Sequence, residues 1–439
     1  MNLENNGQHK IVGIWLNICR FSMAVVLIFS GFVKAIDPLG TKYKIQDYLT
    51  AFGWIERFPE FFPFLAAILL GIVEFCLGIY LFFGIRRKIT PRALVLIMSF
   101  MTPLTLWLAI DNPVSDCGCF GDAVVLSNWQ TFWKNVALLV ASLTIMKWRK
   151  RIFPLVTVRL DWLIGLYSFL FILVITGYCY FHLPLFDFRP YHIGANIREG
   201  MEIPEGKSPT VYDTRFIMQK GEEQKEFGLE DYPDSTWTFV DTKLVVKEKG
   251  YEPAIRDFSI VRQDDGEDIT DEVLDDDNYT FLLIAHQLEE ADDGSIDLIN
   301  ELYDYCLRYG YAFYALTSSS DEAILKWQDS TGAEYPFCLT DNTTLRTMIR
   351  SNPGVILLKK GTVLNKWGVN ELPDEYQLYD RLENLPISQP DSRSLFYKVQ
   401  MIVFRFVIPL FLICMADLYW ERRKKKRDLL KQQENNLNK

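Results

Sequence analysis

The chain has 439 residues, 49% hydrophobic and 14% aromatic, with 46 Lys and Arg against 56 Asp and Glu and a formal net charge of -10. That length holds two or three domains, and the acidic balance argues against a nucleic-acid partner. Eight cysteines in a chain of this length do not make a disulfide scaffold.

Apolar residues gather at the two ends, and the charge lies in the middle. Six segments are long enough to cross a hydrocarbon core, which takes about 20 residues. They are 11–36, 61–85, 91–110, 129–148, 162–182 and 399–420. Only helices satisfy their own backbone hydrogen bonds in lipid without closing into a barrel, so all six are expected as helices. The first run is longer than a signal-peptide core, contains Arg20 and has no small-residue cleavage site before Lys34, so it is expected to be retained. Cys19, Cys76, Cys179 and Cys414 lie inside apolar runs and read as small buried hydrophobes.

Pro38 closes the first helix, and Lys34 and Asp37 near its end read as interface anchors, with a catalytic role as the alternative. Glu74 falls near the middle of the second helix, where an ionised side chain is expensive. Two readings stand for it. Glu74 forms a structural ion pair with Arg20, at a comparable depth in the first helix, or the two mark an intramembrane cofactor-binding cavity or proton path.

Basic residues set the orientation. Arg86, Arg87, Lys88 and Arg92 follow the second span, and Lys147, Arg149, Lys150, Arg151 and Arg159 follow the fourth. Arg422, Arg423, Lys424, Lys425, Lys426 and Arg427 follow the sixth. If the helices alternate, all three groups share one side. That side is expected to be the cytoplasm of a bacterial inner membrane, with both termini there and the tail drawn to anionic lipid. The loop between the third and fourth spans and residues 184–396 then face the periplasm, where a disulfide can persist.

The loop from Asp111 to Asn128 carries no lysine or arginine and contains Asp116-Cys117-Gly118-Cys119-Phe120-Gly121-Asp122. Cys117 and Cys119, one residue apart at a membrane surface, form the candidate catalytic pair, cycling between dithiol and disulfide. A one-residue spacer closes a small, strained ring. The bland alternative is a structural staple or a tight glycine turn. The loop holds no histidine, so a closed zinc site lacks ligands unless Asp116 and Asp122 join. The electron partner is expected to be a membrane quinone, seated between the first four helices near Glu74, or a soluble thiol carrier.

The order of four helices, the stretch Ser30-Gly31-Phe32-Val33-Lys34-Ala35-Ile36-Asp37-Pro38, the intramembrane Glu74 and the Cys-Gly-Cys-Phe-Gly loop resemble the DoxX-like superfamily. Within it they are similar to the MauE-type branch associated with methylamine utilisation. The resemblance covers roughly residues 11–148. It implies a polytopic inner-membrane protein linked to periplasmic thiol or electron-transfer chemistry, and for the MauE branch help in maturing a disulfide-rich periplasmic enzyme.

Beyond the fifth span, alternating stretches at 236–240 and 243–247 suggest a β-hairpin or small sheet. From residue 254 the pattern becomes strands at 257–261, 279–285, 311–316, 355–359 and 363–367, with helices at 296–309, 321–328 and 343–349. Lys360-Gly361 reads as a hairpin turn between the last two strands. The order implies a mixed sheet with helices on its faces. It resembles the thioredoxin fold, in the peroxiredoxin-like and TlpA-like branch, with Pro353 of Asn352-Pro353-Gly354 at the cis-proline position.

A thioredoxin places Cys-x-x-Cys at a helix start, which lowers the first thiol's pKa. Here the corresponding residues are His286-Gln287-Leu288-Glu289-Glu290-Ala291-Asp292-Asp293, so this loop is not expected to carry electrons. Cys306 and Cys338 read as core thiols.

The expected organisation is thus a four-helix membrane domain over 1–150, a fifth span over 151–183 and a linker with a small β region over 184–253. A thioredoxin-like domain lacking Cys-x-x-Cys follows over 254–385, then a sixth span over 397–420 and a basic tail over 421–439. The expected role is periplasmic thiol–disulfide or electron-transfer chemistry supporting maturation of a periplasmic client. Two alternatives stand beside it: a non-enzymatic assembly protein whose outer domain binds a client, and a transporter using Glu74 and Arg20.

Overall fold

The computed structural model describes residues 2–114, 117–220, 223–228, 237–248, 250–256, 258–390 and 395–437. The chain folds as two units. One is Met1–Arg189 with Gly368–Glu371 and Asp391–Lys439, and the other is Pro190–Trp367 with Leu372–Pro390.

The first unit is helical: α1 (Asn2–Ile36), α2 (Pro38–Ala51), α3 (Phe62–Phe83), α4 (Thr90–Asp111), α5 (Asn128–Lys147), α6 (Asp161–Phe181) and a C-terminal helix Leu395–Leu437. Among the described residues five helices are long and apolar enough to cross a membrane, namely α1 over Ile11–Ile36, α3, α4, α6 and the C-terminal helix over Leu395–Gln433. The departure from the expected six is α5. Its length suffices, but Asn128, Thr131, Asn135 and Ser142 form a buried polar face. Asn135 Nδ2 donates to Thr105 Oγ1 of α4 at 3.2 Å. A hydropathy average treats such groups as water-facing, whereas here one helix offers them to another.

Pro38 does more than stop α1. Asp37 caps a second helix by accepting from the Gly40 amide at 2.8 Å, and Pro38 occupies the first turn, where a missing N–H costs nothing. This helix, α2, was not foreseen.

Glycines set how closely α1 and α3 approach. A Cβ at Gly31 would lie 2.4 Å from the Phe75 nitrogen and 2.6 Å from the Gly71 oxygen. At Gly78 it would lie 2.8 Å from the Ile28 nitrogen. The two helices run antiparallel with their backbones in near contact, a packing that only small residues permit.

Arg20 closes the end of α3. Its Nε donates to Leu81 O at 2.8 Å, Nη2 to Phe82 O at 2.7 Å and Nη1 to Phe153 O at 2.7 Å. The last four carbonyls of a helix have no partner within it, and a cation there also meets the negative end of the helix dipole. The expected Arg20–Glu74 pair is therefore not formed. Glu74 precedes Leu81 in α3 by roughly 10 Å at 1.5 Å per residue.

The second unit opens with a short helix α7 (Ile197–Met201) and three antiparallel strands, β1 (Val211–Lys220), β2 (Glu223–Phe227) and β3 (Thr238–Glu248), in the order β2-β1-β3. Of the β-hairpin or small sheet expected here, the small sheet forms, and the stretches at 236–240 and 243–247 lie in one of its strands, β3, from residue 238 on; residue 236 lies outside the described residues.

A six-stranded mixed sheet follows. Its strands are β4 (Val261–Arg262), β5 (Tyr279–Ile284), β6 (Ala312–Thr317), β7 (Phe337–Leu339), β8 (Gly354–Lys359) and β9 (Thr362–Gly368), in the order β4-β7-β6-β5-β8-β9. Strands β5, β6 and β7 are parallel, and β8 is antiparallel to β5. Helices α8 (Thr270–Asp275), α9 (Ile296–Tyr309), α10 (Asp321–Thr331) and α11 (Asn342–Met348) connect them. Only Val261 of the strand expected at 257–261 is in β4, and residue 257 lies outside the described residues.

Every residue of β5 is buried, as in a central strand covered on both faces. Phe281, Leu283 and Leu357 pack with Ile299, Leu302 and Cys306 of α9 and Trp327 of α10 in one core. The Asn352–Pro353 peptide is cis. Asn352 Nδ2 donates to Gln287 O at 2.8 Å, and Arg346 Nη2 donates to Gln287 Oε1 at 2.9 Å. These bonds tie the proline loop to the segment that follows β5.

Candidate functional site

The loop between α4 and α5 turns on Gly118, whose φ of 62° is in the left-handed region that favours glycine. A Cβ there would also meet Lys44 Cγ at 3.0 Å. The turn brings Cys117 Sγ and Cys119 Sγ to 2.9 Å, both as free thiols. Cys117 is buried at 7% exposure, and Cys119 is half-buried. The Tyr48 hydroxyl of α2 donates to the Cys117 carbonyl at 2.5 Å. Asp116, considered beside Asp122 as an oxygen ligand, lies outside the described residues.

The Cys119 carbonyl rests on a polar cluster inside the bundle. Ser30 and Lys34, four residues apart, share one face of α1. Lys34 Nζ donates to Ser30 Oγ at 2.7 Å, to Glu74 Oε2 at 2.8 Å and to Cys119 O at 2.7 Å. These three acceptors use all three ammonium protons. The Ser30 hydroxyl lies 2.8 Å from Glu74 Oε2 and 2.7 Å from Cys119 O, and its single proton serves one of them at a time. Lys34 and Glu74 are 5% and 6% exposed. Charges so deeply buried persist because they are paired and hydrogen-bonded. Lys34 is thus not an interface anchor, and Glu74 takes Lys34 rather than Arg20 as its partner.

A second cation comes from α5. A reciprocal capping box between Ser127 and Gln130 starts that helix. Lys134 follows, with Nζ 4.3 Å from the centre of the Phe120 ring. Phe120 in turn packs on Phe29 of α1 at 5.5 Å between ring centres. The hydrogen bond from the Cys117 thiol, with the Lys134 and Lys34 charges, holds the Cys119 thiol below its ordinary range. The same hydrogen bond, with burial, pushes Cys117 up.

The expected cofactor-binding role of Glu74 and Arg20 does not fit this arrangement. Each is engaged by its own neighbours, in different parts of α3. An apolar groove of about 590 Å³ lies between α1, α3, α6 and the C-terminal helix, lined by residues such as Phe32, Phe75, Phe171, Val403 and Phe406. Neither Glu74 nor Arg20 lines it, so nothing here assigns them to a quinone head group.

Residues 12–147 match the family model of the methylamine utilisation protein MauE. The match takes in both cysteines, Lys34, Glu74 and Lys134, and so every element of the cluster. Residues 212–249 match a domain of unknown function, DUF8463. No curated protein matches the chain. Among solved structures, a putative protein disulfide isomerase from Bacteroides thetaiotaomicron is 18% identical, over 27% of this chain and 78% of that one, with a TM-score of 0.23. An uncharacterized conserved protein from Geobacillus kaustophilus is 15% identical, over 31% and 82%, with a TM-score of 0.24.

Sequence reasoning found the cysteines and marked Glu74 as costly, but it missed Lys134 and Tyr48 and misread Lys34. The available signal for Lys134 was that it is the one charged residue of α5 before the last turn.

Proposed function

We propose that this chain is a membrane thiol–disulfide carrier in which Cys117 and Cys119 exchange two electrons and two protons with a soluble thiol or disulfide partner. The observation that carries the reading is the 2.9 Å approach of two free sulfurs on a turn clamped by a buried lysine. In the oxidising direction the two S–H bonds break and one S–S bond forms. The match of residues 12–147 to MauE supports a role in helping a periplasmic protein mature. The basic loops at 86–92, 147–159 and 422–427 support a bacterial inner-membrane location with the cysteine loop outside. That sidedness requires α5 to cross the bilayer with its polar face turned to α4.

For the second unit we favour a thioredoxin-like fold without redox chemistry of its own. The strand order β4-β7-β6-β5-β8-β9 and the cis Pro353 support the fold. The absence of cysteine from 286–293 supports a client-binding rather than electron-carrying role.

Labelling with a membrane-impermeant thiol reagent, before and after reduction of intact cells, tests the reading. Cys119, the more exposed of the pair, should gain label on reduction and lose it on oxidation. Labelling that ignores both treatments, or that needs a permeant reagent, overturns it.

A further inference from the structure

We infer that the two sulfurs have fixed and different roles: Cys119 is the sulfur that attacks and is attacked by the partner, and Cys117 is the resolving sulfur, with Lys34 and Lys134 as positioning residues that select Cys119. This rests on the thiol-exchange reading above and assigns the order of events within it.

The asymmetry is geometric. Cys117 is buried and its carbonyl is held by Tyr48, whereas Cys119 is half-buried. The cations of the cluster converge on the Cys119 side. Lys34 Nζ is 2.7 Å from its carbonyl, and Lys134 stands over the ring of the next residue, Phe120. Other groups face the loop as well. Glu74 opposes the cations from α3 but is neutralised by Lys34 at 2.8 Å, Lys44 of α2 lies against Gly118, and Asp122 follows in the loop. The Cys119 thiol is lowered and the Cys117 thiol raised, in agreement with the geometry.

The steps balance with a protein or small-molecule disulfide as co-reactant. The Cys119 thiolate attacks one sulfur of the partner disulfide, the partner's S–S bond breaks, and its other sulfur leaves as a thiolate. That thiolate, or water, takes the Cys117 proton. Cys117 then attacks Cys119 Sγ, the mixed disulfide breaks, and the partner departs as a second thiolate. The partner gains the electron pair that the cysteines lose. The reverse sequence, in which a partner thiolate attacks Cys119, oxidises the partner.

The test is residue-resolved alkylation of the reduced, full-length protein in detergent with iodoacetamide, followed by mass spectrometry across pH 5 to about 9, the span in which thiols of lowered and ordinary pKa separate. Cys119 should react first, with a midpoint below that of an ordinary thiol. Lys34→Met should slow Cys119 alkylation at pH 5, below the midpoint, by about tenfold, the consequence of moving the midpoint by one pH unit, and Lys34→Arg should restore it. Lys134→Met, at a half-buried position, should shift the midpoint in the same direction and keeps the test decisive if Lys34→Met does not fold. Faster reaction at Cys117, or a Cys119 profile that does not move in the variants that fold, overturns the inference. A pair that oxidises reversibly while Cys117 is the faster thiol sinks this assignment alone. An asymmetric pair that never forms a disulfide sinks the exchange reading instead.

Discussion

Adding one methyl group at Gly31 tests how the site is held together. In Gly31→Ala the new Cβ would sit 2.4 Å from Phe75 N, 2.6 Å from Gly71 O and 2.8 Å from Phe75 Cα. These are backbone atoms and cannot rotate away. Ordinary contact needs about 1 Å more, so α1 and α3 must part by about that distance. Overpacking of this kind costs about 1–3 kcal/mol, and the immobile neighbours place it at the upper end. Alanine returns about 1 kcal/mol of helix propensity relative to glycine. The net expectation is a loss of about 2 kcal/mol. The same displacement would stretch the 2.8 Å contact between Lys34 and Glu74 beyond hydrogen-bonding distance. Gly13→Ala, in the same helix but with nothing within 4 Å, is the control and should be neutral or slightly stabilising. Thermal unfolding of the full chain in detergent, followed by tryptophan fluorescence, reads both. A Gly31→Ala protein as stable as wild type, or a Gly13→Ala protein that is the weaker of the two, refutes the packing argument.

Arg20→Leu removes hydrogen bonds to Leu81, Phe82 and Phe153 carbonyls. Because bonds to a charged donor are worth about 1.5–3 kcal/mol each, detergent thermal stability should fall by about 3 kcal/mol or more, with Cys119 reactivity unchanged in the folded fraction. Gly118→Ala places a side chain at a φ of 62°; the cost of about 1–2 kcal/mol should lower the fraction of disulfide formed in a fixed glutathione buffer. Phe281→Ala empties the centre of the second unit's core. It should cost about 3–5 kcal/mol in denaturant unfolding of that unit and leave thiol reactivity in the first unit untouched.

What the sequence made legible follows from what each signal measures. Hydropathy over 20-residue windows tolerates one or two polar groups in a long apolar run, so α1, α3, α4, α6 and the C-terminal helix could be placed in advance as spans, and α5 as a helix. It cannot find the partner of an intramembrane charge. Arg20 and Lys34 were both available to Glu74. The choice depends on Gly31, Gly71 and Gly78, which fix the lateral and axial fit of α1 on α3. Arg20 was misassigned because its acceptors are main-chain carbonyls, which leave no mark in the sequence.

The cysteine pair was visible because Cys-Gly-Cys is local. Its surroundings were not, because Lys34, Glu74, Tyr48 and Lys134 come from four different helices. In the second unit β5, β6, β8 and β9 were readable as apolar runs. Strand β7 was missed because Phe337–Leu339 is too short to show alternation. The fusion of 238–248 into one strand was hidden because Asp241 and Thr242 interrupt the alternation between the two stretches, yet they continue the β1 pairing.

The central claim is that Cys117 and Cys119 interconvert as a two-electron couple. Equilibrating the full-length protein in detergent against a series of thiol–disulfide buffers, then trapping and weighing the peptide that contains both cysteines, measures this directly. The account predicts a single transition between a doubly alkylated and an internally disulfide-bonded peptide, with the midpoint shifted in Lys34→Met. A peptide that takes up two alkyl groups at every buffer composition, or one found only as mixed disulfides, contradicts it.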